Sequence, residues 1–96
     1  MPFLEISVVP VGTNTASFSS YVTDAVNLIE QSGLNYQITP TATVIEGEIG
    51  QLMDVAKAMH ENVIANGATR VITNICIDHR TDKNTDMIQQ VKTAQK

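Results

Sequence analysis

Hydrophobic and polar residues alternate over the first ten positions of the chain. The residues of one parity are all apolar: Leu4, Ile6 and Val8. The residues of the other parity are mixed: Phe3, Glu5, Ser7 and Val9. A period of two is typical of a β-strand with one buried face. The pattern predicts a strand over 3–9, which we expect to end at Pro10 because proline cannot donate to a sheet ladder.

Two longer segments repeat their apolar residues every three or four positions, as amphipathic helices do. Over 17–32 these residues are Phe18, Tyr21, Val22, Ala25, Leu28 and Ile29. Over 48–66 they are Ile49, Leu52, Met53, Ala56, Met59 and Val63. Gly33 and Gly67 follow the two segments, where a left-handed residue commonly ends a helix.

Three further strands are predicted over 35–40, 41–46 and 69–78, with Pro40 at a turn or bulge between the first two. The last strand is apolar on both parities, so either Thr73 or Asn74 could lie on its more polar face. A short helix is expected from Thr85 onward, because Met87, Ile88 and Val91 follow a helical spacing.

The order strand, helix, strand, strand, helix, strand predicts an α+β fold of the ferredoxin-like βαββαβ type, followed by the short C-terminal helix. We expect one domain over 1–96, with a four-stranded antiparallel sheet and both main helices on one of its faces.

The sheet face opposite the helices is called the open face, and the first strand should give it Phe3, Glu5, Ser7 and Val9. The middle strands should add Gln37, Thr39 and either Thr41 with Thr43 or Glu46. This mixture is less charged than a solvated surface and more polar than a core. It favours a face that packs against a second subunit and encloses a few polar groups, as small-molecule pockets do.

Composition narrows the possible functions. The 96 residues carry a formal net charge of −4, with 10 acidic and 6 basic residues, which disfavours binding to a phosphate backbone. One cysteine, Cys76, cannot form an internal disulfide. We find neither a signal peptide nor an apolar run long enough for a membrane span. We therefore expect a cytoplasmic protein that binds neither nucleic acid nor membranes.

Six segments occur in order along most of the chain: Pro10-x-Gly12-Thr13, Ser20-Tyr21-Val22, Ser32-Gly33-Leu34-x-Tyr36, Pro40-Thr41-x-Thr43-x-Ile45-Glu46-Gly47-Glu48, Gly67-Ala68-x-Arg70-Val71 and Ile75-x-Ile77-Asp78-x-Arg80-x-Asp82-Lys83. With these segments the chain resembles the small thiamine-binding family of the YkoF-like superfamily. The resemblance implies a ferredoxin-like fold, homodimers whose sheets face each other or homotetramers of two such dimers, and binding of thiamine or its hydroxymethylpyrimidine part without chemistry. Thiamine would be a ligand, and no cofactor is expected.

Six residues are candidates for holding such a ligand. Ser7, Thr43 and Asn74 could pair with the nitrogens of an aminopyrimidine. Glu5 or Glu46 could neutralise a thiazolium cation, and Tyr36 could offer it an aromatic face. Each also has a structural interpretation. Glu46 could serve a helix N-terminus, Tyr36 could pack in the core or an interface, and Ser7 and Asn74 could pair with each other or with a partner strand.

Other readings compete with ligand binding. A small enzyme on the same fold could use Asp78, His79 or Glu46 as acid–base groups on a thiamine-related compound, although no catalytic motif is visible. The open face could instead serve self-association alone, without a ligand. Cys76 is expected to be a buried, unreactive thiol, and His60 a boundary or exposed residue. No metal site is expected, because neighbouring residues at the end of the last strand point to opposite faces.

Overall fold

A computed structural model describes residues 1–12 and 19–82, and the side chains of 19–22 lie outside that description. Its elements are β1 Phe3–Val11, α1 Ser19–Ser32, β2 Asn35–Ile38, β3 Thr43–Glu46, α2 Ile49–Ala65 and β4 Arg70–Asp78. They form a four-stranded antiparallel sheet in the order β2-β3-β1-β4. The predicted α+β class, element order and sheet are confirmed. The predicted C-terminal helix lies outside the described residues.

The core lies between the sheet and the two helices. Leu4, Ile6 and Ile45 of the sheet and Ile29 of α1 are almost fully buried. On α2 the buried residues are Leu52, Val55, Ala56, Met59 and Val63. Met53 was predicted to belong to this stripe, but it is exposed and Val55 is buried instead. Leu52, Met59 and Val63 mark the centre of the buried stripe. At about 100° per residue, Val55 lies roughly 60° from Leu52 around the helix, whereas Met53 lies roughly 100° from it and falls outside the stripe.

Both helices end as the glycines predict. Gly33 and Gly67 have φ angles of +75° and +102°, a region that glycine enters without steric cost. At the other end of α2, Glu48 is the N-cap residue, and its amide donates to Oε1 of Gln51 at 3.2 Å. The bounds of α2 are therefore set by local signals in the sequence.

Strand β1 does not end at Pro10, contrary to the expectation from sequence. It pairs with β4 from Phe3 to Val11, whereas its pairing with β3 stops at Ile6. Beyond Ile6, β1 has a neighbour on one side only among the described residues. A proline is tolerated in a strand when its missing N–H would face an unpaired edge.

The registers assign every described strand residue to one face. The open face carries Phe3, Glu5, Ser7, Val9, Val11, Asn35, Gln37, Val44, Glu46, Arg70, Ile72, Asn74, Cys76 and Asp78. The opposite, covered face carries Leu4, Ile6, Val8, Pro10, Tyr36, Ile38, Thr43, Ile45, Val71, Thr73, Ile75 and Ile77. The alternation predicted for β1 is confirmed, and of the two alternatives for β3, Glu46 is the residue on the open face.

Candidate functional site

Four of the six candidate ligand-binding residues lie on the open face. Ser7 of β1 is directly opposite Asn74 of β4, and Glu5 is one pair further along the same ladder, opposite Cys76. Glu46 ends β3, where it pairs with Phe3. The register of β4, which periodicity left undecided, thus places Asn74 rather than Thr73 on this face.

The polar side chains at the middle of the open face have no hydrogen-bond partner among residues 1–12 and 19–82. This holds for Glu5, Ser7, Gln37 and Asn74. Apolar side chains lie beside them: Val9 is 44% exposed and Ile72 is 43% exposed. Exposed apolar area next to unpaired donors and acceptors is typical of a surface that receives a partner or a ligand.

Glu46 is held more tightly than the other open-face candidates. Its side chain is buried, with 8% exposure, and Nδ2 of Asn35 on β2 donates to its Oε1 at 3.3 Å. The N-cap of α2 is Glu48, not Glu46. A buried carboxylate needs hydrogen-bond donors or a cation nearby, so Glu46 combines a structural contact on β2 with a negative charge at the end of the open face.

Tyr36 and Thr43 lie on the covered face, away from the other four candidates. Tyr36 packs against the core, and its hydroxyl donates to the carboxylate of Glu30 on α1 at 3.0 Å. This hydrogen bond, together with desolvation and the negative charge of Glu30, raises the pKa of Tyr36 above its ordinary value of 10.0. Tyr36 thus follows its structural interpretation. Thr43 pairs with Ile6, and its hydroxyl has no hydrogen-bond partner among the described residues.

The structure corrects the expectation for Cys76 and makes the expectation for His60 more specific. Cys76 was expected to be buried, but its side chain is exposed on the open face of this single chain, because that face carries no helix. His60 of α2 is half-buried at the boundary of the core, and its Nδ1 lies 2.7 Å from Oγ1 of Thr73. His60 therefore joins α2 to β4 and has a structural role.

Sequence reasoning missed a cavity of about 390 Å³ beside the last part of β1. Its walls come from Ser7–Pro10 of β1, from residues 38–43 around the β2–β3 turn, and from apolar side chains of both helices: Ala25, Val26, Ile29, Met59 and Val63. Its volume falls within the range of small-molecule pockets, which are about 300–1,000 Å³. Ser7 and Val9 also belong to the open face, so the rim of the cavity reaches that face.

The cavity exists because the β2–β3 turn leaves the ladder. Extending the β1–β3 register beyond Ile6 and Thr43 would pair Val8 with Thr41. Instead, Thr39 and Ala42 close a turn, with the Thr39 amide donating to the Ala42 carbonyl at 2.8 Å. Oγ1 of Thr39 donates to the same carbonyl at 2.8 Å. Two prolines are the sequence signals for this gap: Pro40 in the turn, and Pro10, a residue without an N–H inside a strand.

The backbone of Val8 faces this gap. The amide of Gly47, next to β3, donates to the carbonyl of Pro2 at 3.2 Å. Alternate residues of a strand direct their N–H and C=O groups to opposite sides, so the even-numbered residues of β1 point toward β3. Past Ile6 this side has no strand neighbour in the described part of the chain. Val8 therefore presents an N–H and a C=O to the cavity, and Pro10 presents a C=O.

Within residues 1–12 and 19–82, neither helix is long and apolar enough to cross a membrane. No group of three His, Cys, Asp or Glu side chains in those residues is placed to hold a metal ion.

Comparison with known proteins assigns the chain to a family. The family model described as "Thiamine-binding protein" matches residues 4–95. The UPF0045 protein YqgV of Bacillus subtilis is 38% identical over 100% of this chain and 96% of its own length. A UPF0045 protein of Methanothermobacter thermautotrophicus is 36% identical over 94% of this chain and 92% of its own length.

A solved structure agrees with the sequence comparisons. The crystal structure of a hypothetical protein from Methanocaldococcus jannaschii superposes with a TM-score of 0.86 at 29% identity, covering 98% of this chain and 95% of that one. The resemblance drawn from the six sequence segments is thereby confirmed. The chain belongs to the thiamine-binding protein family.

Proposed function

We propose that this protein binds thiamine, or its hydroxymethylpyrimidine part, without converting it. The observation that carries the proposal is the match of residues 4–95 to the thiamine-binding family. The proposed setting is a homodimer or homotetramer in the cytoplasm, in which the open faces of two subunits pack together around the ligand.

The chemistry of the open face supports this proposal. Thiamine carries a permanent positive charge, and Glu5 and Glu46 place two carboxylates on this face. The side chains of Ser7 and Asn74, which have no partner within residues 1–12 and 19–82, can exchange hydrogen bonds with a polar heterocycle. Burying these groups in an interface without partners would cost about 1–3 kcal/mol each, and a polar ligand offsets that cost.

The exposed apolar residues support assembly through the same face. Val9 and Ile72 face each other across β1 and β4, and both are more than 40% exposed in the single chain. An apolar strip on a sheet is covered efficiently by the same strip of a second copy, because a twofold interface is self-complementary. Ligand and second subunit would then share one surface.

Isothermal titration calorimetry with thiamine tests the proposal, using protein at a concentration where it is assembled. We expect saturable binding that weakens about tenfold in Glu5→Gln, because the ligand loses a countercharge. The matched control is Glu61→Gln, which neutralises an exposed carboxylate of α2 that pairs with Lys57. Ser7→Ala should weaken binding by a smaller factor.

The competing readings predict different results. An assembly module without a ligand predicts no heat of binding at millimolar thiamine, and a neutral or stabilising effect of Ser7→Ala. An enzyme predicts that thiamine incubated with concentrated protein changes in mass or in chromatographic retention. Recovery of unchanged thiamine after saturable binding supports the binding function, whereas absence of binding by the assembled protein refutes it.

A further inference from the structure

We infer that the outer edge of β4 pairs antiparallel with the same edge of a second copy, so that two four-stranded sheets become one continuous sheet. Strand β4 ends the sheet order β2-β3-β1-β4, so within the described residues it has a strand neighbour on one side only. The inference goes beyond the proposed function, because it concerns main-chain groups at the edge of the sheet and not the packing of open faces. The edge contact would join two of the proposed open-face dimers into a homotetramer.

Strand β4 has the features of an edge that receives another strand. It is nine residues long, whereas β2 at the opposite edge of the sheet has four residues. Its sequence contains neither proline nor lysine, the residues that proteins often use to protect an edge. Ile72 on the open face and Ile75 and Ile77 on the covered face are all more than 40% exposed. A long edge strand with exposed apolar side chains on both faces is a template for pairing with another chain.

Pairing with β1 determines which main-chain groups reach the outer edge of β4. The even-numbered residues of β1 direct their N–H and C=O groups toward β3, so its odd-numbered residues direct them toward β4. The β4 partners of those odd-numbered residues are even-numbered. The outer edge therefore presents the N–H and C=O groups of the odd-numbered residues Val71, Thr73, Ile75 and Ile77. In a twofold antiparallel pair these groups bond to one another when Thr73 lies opposite Ile75 of the second copy.

The charged residues of β4 favour this register over its neighbours. The two nine-residue strands overlap completely only when Asn74 lies on the twofold axis, and Arg70 of each copy is then opposite Asp78 of the other. The adjacent registers would place Arg70 opposite Cys76 or Arg80 instead. A twofold contact repeats each pair, so the complete overlap gains an opposite-charge pair at both of its ends.

Arg70 and Asp78 are available for these pairs. Both side chains are exposed, and neither forms an ion pair with another residue in the described part of the chain. Because their main-chain groups bond to β1, they would form non-hydrogen-bonded pairs across the new ladder, in which opposite side chains approach most closely.

Amide hydrogen exchange followed by NMR tests the pairing on the native chain. In the assembled protein the outward amides of Thr73 and Ile75 should be protected. Dilution that separates the edges should raise their exchange rates at least about tenfold. The amides of Ile72 and Asn74, which bond to β1, should stay protected on dilution. Packing of open faces alone leaves the outward amides without acceptors, so this alternation along β4 distinguishes the two contacts.

Charge reversal gives an independent measurement with its own rescue. Arg70→Asp or Asp78→Arg places like charges opposite each other at both ends of the contact, and should weaken association of the edges about tenfold. The double variant Arg70→Asp/Asp78→Arg restores opposite charges and should return the dissociation constant to near the wild-type value. Sedimentation equilibrium measures all four proteins.

A proline in β4 should have a larger effect. Ile75→Pro removes an outward N–H and should weaken association of the edges at least about a hundredfold. The pairing of β4 with β1 should survive, because the Ile75 amide does not point toward β1. The chain already carries Pro10 in β1, where the missing N–H would likewise face the side without a paired strand among the described residues. Circular dichroism spectra identify a variant that fails to fold, and the exchange experiment does not depend on the variants.

The outcomes decide the inference separately from the proposed function. Rapid exchange at Thr73 and Ile75 in the assembled protein overturns the inference, as does unchanged association of Arg70→Asp or of folded Ile75→Pro. Protection of these amides that persists in dilute monomer also overturns it, because the edge is then covered by its own chain. Concentration-dependent protection, with rescue by the double variant, supports it. Absence of thiamine binding would refute the proposed function and leave the edge contact standing.

Discussion

The two faces of the sheet are made from alternating residues of the same strands, yet they have different surroundings. At the centre of β1, Ile6 is 2% exposed under the helices, whereas its neighbour Glu5 is exposed on the open face. The covered face is completed within one chain by the apolar stripes of α1 and α2. The open face mixes polar and apolar residues, and its cover is incomplete: Phe3 and Glu46 at one end are buried, whereas Glu5, Val9 and Ile72 are exposed.

Strand β4 shows that exposure alone does not distinguish the faces. Ile72 on the open face is 43% exposed, but Ile75 and Ile77 on the covered face are 44% and 42% exposed. Because β4 is an edge strand, the helices cover its inner side only in part. The difference between the faces is therefore one of chemistry and partners, and it can be tested by matched changes on opposite sides of one strand.

The largest effect is expected from a charge placed on the open face. Ile72→Asp should abolish assembly, because an unpaired carboxylate buried in an interface costs on the order of 3–5 kcal/mol. Ile75→Asp is the matched control: the residue type, the strand and the exposure are the same, and only the face differs. Sedimentation equilibrium over a range of protein concentrations measures the dissociation constants.

The two isoleucine variants also define what would contradict the comparison. If Ile75→Asp dissociates the protein and Ile72→Asp does not, assembly uses the edge or the covered side of β4 instead of the open face. If the wild-type protein is a monomer at high concentration, the open face is a solvated surface and the proposed interface fails.

Truncations of apolar side chains should give the next largest effect. Leu52→Ala under the sheet should lower the free energy of unfolding by about 2–5 kcal/mol, because Leu52 is fully buried and its loss leaves a cavity. Val44→Ala on the open face removes a half-buried side chain, and should cost less than about 1 kcal/mol in dilute protein.

Urea denaturation at two protein concentrations measures both truncations. The Val44→Ala cost should rise with concentration, because assembly buries this residue and couples association to folding. The Leu52→Ala cost should not change. Equal costs for Val44→Ala at both concentrations would show that Val44 lies outside any interface.

The sequence was most informative about elements whose structure is determined by local signals within the chain. Alternation in β1 and the glycines after both helices predicted elements that the structure confirms, because these signals are local. The register of β4 was not predictable, since its residues are apolar on both parities and only pairing with β1 selects one. Thr43 could not be assigned to a face because the turn at Pro40 interrupts the alternation between β2 and β3.

The cavity was not predictable for a similar reason. It depends on where pairing between β1 and β3 stops, which is a tertiary property, and Pro10 and Pro40 are its local signals in the sequence. Six candidate site residues were chosen for their chemistry on or near the predicted open face, and the fold places four of them on that face and two on the other. Residue type indicated which groups could bind a heterocycle, but only the registers show which of them share a surface.

The smallest expected effect is on the pKa of Tyr36, which lies at the margin of the covered face and contacts Glu30 of α1. Its neighbour Gln37 points to the open face, while the Tyr36 hydroxyl donates to Glu30 of α1. That hydrogen bond, followed by desolvation and the charge of Glu30, holds the pKa of Tyr36 above 10.0. The neutral phenol is thus favoured in the folded state, so the contribution to stability is complete below the pH at which an unfolded tyrosine ionises, and disappears as pH rises through the folded pKa.

Glu30→Gln should therefore lower the pKa of Tyr36 toward 10.0, with little effect on stability near neutral pH because the pair is solvent-exposed. Ultraviolet titration of tyrosinate absorbance measures the shift, and Tyr36→Phe isolates the contribution of Tyr21. Since Tyr36 belongs to the covered face, Glu30→Gln should leave assembly unchanged. A change in oligomeric state would show that the margin near β2 and α1 also contacts a partner. The interface would then extend beyond the open face at β2.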